Sequence, residues 1–385
     1  MPSFLFAVDS FKGSISSRRA ETLLGESVRR IFPQAEVCSV PIADGGEGSL
    51  EVVRSTCSVV SRTCIAQDPL GEDIEVSYLI SGSEAFIEMA TICGLTLMSK
   101  NQRNPLMASS FGLGQVIYDA VDQGSTVINI FAGGTATNDC GLGAMRALGY
   151  RFCSKEGREL INLPLEMGEI EQIEFPPSPI LQGVSFRVIV DVNAQLTGTY
   201  GATKLYAAQK GATVEMLDFL ERSFIHFSSV VKRICGIDIS QEQGLGAAGG
   251  FAAGAKVFLG AKVIQGIDYL LTITNFDEYL ASCDICITGE GHIDTQTKQG
   301  KVVSGIARRC LGKGVPCLAI VGGMDREIYS SSIEGVSIIV PCVSDACTVH
   351  EALCHAEENF SAAADRMFSL IKLGMSLKEI NYDTR

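Results

Sequence analysis

Short, wholly apolar runs alternate along this chain with longer stretches in which apolar residues recur every three or four positions. The first kind predicts strands buried on both faces and the second predicts amphipathic helices, a combination that belongs to α/β architecture. Residues 4–8 form the first such run, ending at Asp9, and residues 17–31 carry Leu23, Leu24, Val28 and Ile31 on one helical stripe before Pro33 stops it. A strand over 36–42 and a helix from 48 to about 55 follow. Residues 59–98 read differently: VVSRTCIA, DIEVSYLIS and AFIEMA are short strands parted by DPLGE and GSE, the mark of a hairpin or meander.

Beyond this, a helix over 114–123 leads to a strand over 126–131, which runs into a glycine-rich loop. Residues 157–180 hold four of the 11 prolines and predict a loop-rich connection. A strand over 186–192 and a long helix over 215–235 come next, then strands over 285–288, 317–321 and 337–340 with a helix over 302–311 after the first. The expected fold class is therefore α/β, with two α/β domains. A middle domain, residues 63–283, carries the glycine-rich loop and is inserted into a Rossmann-like sheet built from both chain ends, residues 1–62 plus 284–385.

Composition narrows the partners. At 385 residues the chain can bury large cores without disulfides or metal as staples. Its formal charge is −13, with a sequence pI near 4.9, so no basic surface is spare for nucleic acid. Mean hydropathy is +0.24, too apolar for a disordered chain, yet no segment reaches the length of a membrane span. The first residues lack a basic stretch and meet Asp9 early, so no signal peptide is expected there. Fourteen cysteines at irregular spacing then read as reduced thiols, and the expected location is cytoplasmic.

The candidate chemistry lies in polar, glycine-rich segments, most of which follow an apolar strand, where ligands bind in open α/β sheets. DSFKGS (9–14) places Lys12 just past a strand end, although Ser14 or Ser16 could simply cap a helix. ADGGEGS (43–49) sets Asp44 and Glu47 among three glycines, a density that is costly unless the backbone approaches something closely. AGGTATNDCGLG (132–143) joins a strand to a helix start, an arrangement suited to phosphate, with Thr135, Thr137 and Asn138 as further donors. The segment 191–213 carries Asp191, Asn193, Lys204 and Lys210, and 288–301 carries Glu290, Asp294, Lys298 and Lys301; carboxylates beside lysines suit a magnesium–phosphate site.

Other signals are weaker. GLGAAG (244–249) fits a dinucleotide fingerprint, which would make the chain an NAD-dependent dehydrogenase, but no buried strand leads into it. Cys283 and Cys286 have no second pair at zinc spacing, and neither a serine-nucleophile motif nor a Walker A loop is present. The residues taken alone favour phosphoryl transfer or phosphate-ester binding.

Taken as an ordered set, the segments DSFKGS (9–14), ADGGEG (43–48), GGTATND (133–139), DVNAQLTGTYGA (191–202) with AQKGA (208–212), GAAGG (246–250) and GEGHIDTQTKQGK (289–301) resemble the bacterial glycerate kinase family of type I, the glycerate 2-kinases. The resemblance covers essentially the whole chain. It implies ATP-dependent phosphorylation of D-glycerate to 2-phosphoglycerate, Mg2+ as cofactor, and a site in the cleft between two α/β domains. A glycerate 3-kinase, or a kinase of a related hydroxy acid, is the alternative. Expected partners are D-glycerate and ATP, with a homodimer open, and neither nucleic acid nor membrane.

Carried onto this sequence, Lys12, Ser14, Glu47, His292 and Lys301 are expected at the substrate, and Asp191, Asp44 and Lys12 in catalysis. Gly133, Gly134, Thr135, Thr137, Asn138 and Lys210 are expected at the nucleotide, and Glu290 and Asp294 at the metal. The chain departs from the family pattern where GEGRID becomes GEGHID: His292 removes a permanent bidentate clamp. Thr135 replaces a serine and keeps its hydroxyl, Ala208 replaces a proline, and the NPL stretch reads Asn193-Ala194-Gln195-Leu196.

Overall fold

In chain order the strands are β1 (Ser3–Val8), β2 (Glu36–Ser39), β3 (Val60–Gln67), β4 (Asp73–Ser81), β5 (Glu84–Glu88), β6 (Val127–Phe131), β7 (Arg151–Cys153), β8 (Gln172–Glu174), β9 (Ser185–Val190), β10 (Lys262–Gln265), β11 (Ile285–Ile293), β12 (Cys317–Met324) and β13 (Val336–Pro341). The computed structural model describes residues 1–176, 181–293, 301–326, 333–343 and 345–382. The described chain divides into two units, one of residues 1–44 and 270–385 and the other of residues 45–269. The middle of the chain is thus inserted into a unit made from both ends, and the architecture is α/β.

In the unit of the chain ends the sheet runs β13-β12-β11-β1-β2, parallel throughout. β1 is buried along nearly its whole length, as its unbroken SFLFAV run requires of a strand covered on both faces. The helix Ser17–Ile31 starts where Ser16 Oγ accepts the amide of Arg19 at 3.2 Å, and it ends just ahead of Pro33. Leu23, Leu24 and Val28 bury its apolar stripe in a core with Phe4, Phe6 and Val8. A helix from Ala356 to Tyr382, absent from the sequence reading, supplies Phe360, Ala363, Ala364, Met367 and Phe368 to that core. Phe4 and Phe368 meet edge to face, with ring centroids 5.3 Å apart.

In the inserted unit the sheet runs β10-β9-β6-β5-β4-β3. β3–β4–β5 is the antiparallel meander read from the sequence, and β5, β6, β9 and β10 pair in parallel. The small ladder β7–β8 stands apart. The units divide near residues 44/45 and 269/270, in place of 62/63 and 283/284. On the first side, the helix Ser49–Thr56 is held by Glu88 of β5, which accepts the amides of Gly48 and Leu50 at 3.3 and 3.1 Å. On the second, Asp277 pairs with Arg309 at 2.6 Å and ties residues 276–280 to the outer unit. Both ties join residues distant in sequence, which local patterning does not display.

Candidate active site

The strand order of the outer unit reverses direction at β1: the chain passes from β1 to β2 on one side and returns as β11, β12 and β13 on the other. Ligands in such sheets settle outside the carboxyl ends of the strands at this switch point. A cavity of about 570 Å³ lies there, with Asp9, Lys12, Asp44, Glu290, His292 and Lys301 on its polar walls. Met324, Val343, Val349, Ala352 and Leu353 line its apolar side.

Asp9 directly follows β1, with its amide donating to Gly289 O at 2.9 Å and its Oδ1 accepting the Ser10 amide at 2.7 Å. Only 8% of it is exposed. Burial, and then the like charge of Asp44, push its pKa up to about 7, against the opposing pull of the Ser10 amide and Lys12. Lys12 Nζ lies 3.6 Å from Asp44 Oδ2 and is 76% exposed. Ser14 also lines the cavity, but its hydroxyl donates to Phe11 O at 2.9 Å and closes the DSFKGS turn. Glu290 is 7% exposed, and His292 Nε2 lies 2.9 Å from Asp325 Oδ1. Lys301 immediately precedes the helix Val302–Lys313. Asp294 and Lys298 lie outside the described residues.

The inserted unit has a second, smaller pocket of about 100 Å³, lined by Gly133, Gly134, Thr135, Asp191, Tyr206 and Lys210 together with Ala248 and Gly249. Lys210 is 4% exposed; its Nζ donates to Thr137 O at 2.8 Å and to Thr135 Oγ1 at 3.3 Å. Burial lowers its pKa to about 8, although Asp139 and Asp191 favour the charged form. Thr137 and Asn138 are fully buried, and no hydrogen-bond partner among the described residues reaches Thr137 Oγ1 or either end of the Asn138 amide.

The expected anion site at the helix start after β6 is already filled. The helix Leu142–Ala147 begins at Gly141, and the Asp139 carboxylate accepts the amides of Gly141 and Gly143 at 3.0 and 3.2 Å. It also accepts the amide and hydroxyl of Ser110 at 2.8 and 2.7 Å. The motif's own acid therefore satisfies the amides of Gly141 and Gly143 at the helix start. Two of the three glycines of ADGGEG, Gly45 and Gly46, serve close backbone contact. A β-carbon on Gly45 would lie 2.6 Å from Gly266 Cα, and one on Gly133 would lie 2.5 Å from Gly46 Cα. Glu47 is exposed and lines neither cavity.

The geometry also disposes of the dinucleotide fingerprint. No strand runs into residues 244–250, and Ala248, Gly249 and Gly250 take three successive left-handed conformations. This turn packs on the 133–140 loop, with the Cys140 amide donating to Gly249 O at 3.1 Å. All fourteen cysteines are free thiols. Among the described residues no group of three or more His, Cys, Asp or Glu is placed to hold a metal ion, and no helix is long and apolar enough to cross a membrane.

Residues 4–372 match the family profile described as Glycerate kinase family. This chain belongs to the glycerate kinase family. It is 34% identical over 374 residues to a protein of Escherichia coli (strain K12) named Glycerate 2-kinase, covering 96% of this chain and 98% of that one. A protein of Halalkalibacterium halodurans named Glycerate kinase is 35% identical over 367 residues, covering 94% and 97%. A crystal structure of a protein assigned as glycerate kinase 2 from Salmonella typhimurium LT2 superposes with a TM-score of 0.79 at 32% identity, over 97% of this chain and 99% of that one.

As a member of the glycerate kinase family the chain is an enzyme of the phosphotransferase class. Lys12, Ser14, Asp44, Glu290, His292 and Lys301 meet around one cavity, and Gly133, Gly134, Thr135, Asp191 and Lys210 around the other. Sequence reasoning passed over Asp9, whose position at a strand end was its only signal. It also missed Asp325, the partner of His292, and Asp139, which reads as one letter of a phosphate-like motif.

Proposed function

We propose that this chain transfers the γ-phosphoryl group of ATP to the 2-hydroxyl of D-glycerate, releasing ADP and 2-phosphoglycerate, in the breakdown of small organic acids. The observation that carries the reading is the similarity to the Escherichia coli protein named Glycerate 2-kinase, which runs over 96% of this chain. Phosphoryl transfer asks a protein chiefly for positioning and for stabilisation of charge. Lys12 and Lys301 offer positive charge to phosphate oxygens on the walls of the larger cavity. Asp44 and Asp191 are carboxylates suited to accept a hydroxyl proton, and Lys210 offers a buried positive charge.

The donor set around the larger cavity fits a magnesium ion. Glu290 is a nearly buried carboxylate on its wall, and Asp9 and Asp44 bring like charges together there. Magnesium commonly takes one or two protein carboxylates and completes its shell with water and phosphate oxygens, so it needs no closed protein cage. Glu290, with Asp294 beyond the described residues, would hold the ion, which when bound neutralises charge across the phosphate oxygens.

The test is ADP release from purified protein with ATP, Mg2+ and D-glycerate, followed by phosphorus NMR of the product. A phosphorus doublet, split by the single C2 proton, is the expected result. A triplet from the C3 methylene would make the enzyme a 3-kinase. Turnover only with another hydroxy acid would move the substrate, and silence with every hydroxy acid would end the kinase reading.

A further inference from the structure

We propose that the small pocket around Lys210 in the inserted unit binds the carboxylate of the acceptor hydroxy acid, and that the larger cavity of the outer unit takes the nucleotide. The proposal rests on the kinase reading and names which cavity serves which substrate.

Charge is the first argument. The Lys210 ammonium has three N–H groups, two of them given to Thr135 Oγ1 and Thr137 O, and it makes no ion pair among the described residues. The nearby Asp139 already accepts four hydrogen bonds from Ser110, Gly141 and Gly143. A buried cation without a counterion in contact is costly, and an anion entering the pocket relieves that cost.

Size and sign decide which anion. A space of about 100 Å³ accommodates a three-carbon acid, whereas a nucleotide needs a cavity of several hundred. The charged groups on this pocket are one lysine and one aspartate. A triphosphate would meet a single cation and a repelling carboxylate. A monoanionic hydroxy acid matches both: its carboxylate on Lys210 and its hydroxyl hydrogen-bonded to Asp191. The amides at the start of the Leu142–Ala147 helix, which a phosphate would use, are occupied by Asp139. The cavity of about 570 Å³ instead combines Lys12 and Lys301 with an apolar side at Val343, Val349 and Leu353, as a triphosphate and a planar base require.

Isothermal titration of the full chain tests this, with D-glycerate, glycerol, inorganic phosphate and ATP–Mg2+ as separate probes. D-Glycerate should bind the wild type, and glycerol, which keeps the hydroxyls without the carboxylate, should not. Lys210→Met should weaken D-glycerate by at least about thirtyfold, the cost of unpairing a buried charge, and leave ATP–Mg2+ within about threefold. Loss of ATP–Mg2+ or phosphate binding with D-glycerate unchanged would make the pocket a phosphate site and overturn the proposal. So would unchanged binding of every probe, or failure of the wild type to bind D-glycerate.

A measurement on the wild type alone covers a variant that fails to fold. Lys210 is faced by Asp139 and Asp191, and D-glycerate affinity should fall as pH rises through about 8, where the free lysine loses its proton. A flat profile from about pH 7 to 9.5 would overturn the assignment. The kinase reading fails separately: a wild type that binds D-glycerate through Lys210 yet transfers no phosphate keeps the subsite and loses the activity.

Discussion

Gly249 stands so close to the main chain of Thr137 that a β-carbon on it would lie 1.9 Å from the Thr137 carbonyl oxygen. The same oxygen accepts Lys210 Nζ at 2.8 Å. The left-handed turn at 248–250 is thus a wedge that sets the position of the carbonyl holding the buried ammonium. Of the glycines that imitate a dinucleotide fingerprint, Gly249 is required by this packing, and Gly246 by the Gln195 carbonyl oxygen, which would lie 2.1 Å from its β-carbon.

Gly249→Ala should therefore act on stability and on the pocket together. Its φ of +65° already disfavours a side chain, and the clash with backbone leaves no rotamer to escape into. A loss of several kcal/mol is expected, at the upper end for single substitutions. Urea denaturation should show it, accompanied by weaker D-glycerate binding. A variant as stable as wild type would mean that the 133–140 loop and the turn are not packed as described.

Lys210 gives a prediction of opposite sign. Burial lowers its pKa from 10.5 to about 8, so the unfolded chain holds the proton more tightly than the native state does. The native protein bears the cost of this charge fully below about pH 8 and is freed of it as pH rises towards 10.5. Set against Lys210→Met, which lacks this charge, wild type should gain about 2–3 kcal/mol in relative stability between pH 7 and pH 10. Paired denaturation curves at pH 7 and pH 10 check it; a difference between the two proteins that does not change with pH would mean that the lysine is solvated or paired.

Asp139 tests the reading of GGTATND as a self-capping loop. Its carboxylate accepts two hydrogen bonds from Ser110 and two from the amides of Gly141 and Gly143. In Asp139→Asn one oxygen becomes an NH2 group facing donors, leaving buried partners unsatisfied at about 1–3 kcal/mol each. The variant should lose several kcal/mol, read as a lower unfolding midpoint. If it instead keeps its stability and loses only ATP binding, the loop serves phosphate after all.

Much of the fold is legible because burial on two faces demands unbroken apolar runs: β1, β6, β9 and β12 each lie within a residue or a few of where such runs stand. The C-terminal helix is harder to read in the sequence, although Phe360, Ala363, Ala364, Met367 and Phe368 follow helical spacing. Exposed Leu370, Leu373 and Leu377 on its later turns blur that stripe. At the site, residue types at strand ends were visible, since charged side chains beside glycines stand out from apolar strands. What was hidden is who satisfies whom. Asp139 reads as one letter of a phosphate-like motif, yet its carboxylate is consumed by four internal donors. That arrangement depends on Ser110, 29 residues away from Asp139 in sequence.

Asp9 brings the outer cavity under the same test. Burial, and then Asp44, raise its pKa to about 7, so the native state holds this proton more tightly than the unfolded chain does. Ionisation therefore costs stability as pH rises from about 4 through 7, the reverse of a salt-bridged carboxylate. Asp9→Asn keeps an oxygen for the Ser10 amide, which now lies 2.7 Å from Oδ1, and removes the charge. The variant should match wild type near pH 4 and exceed it by up to about 4 kcal/mol at pH 8, in the absence of nucleotide and magnesium. Lys12, mostly exposed at 3.6 Å from Asp44, offsets little of this, and Lys12→Ala should change stability by less than about 1 kcal/mol. Denaturation of the three proteins at both pH values separates the cases. An Asp9→Asn variant less stable than wild type at pH 8 would show that Asp9 is ionised and paired in the native state.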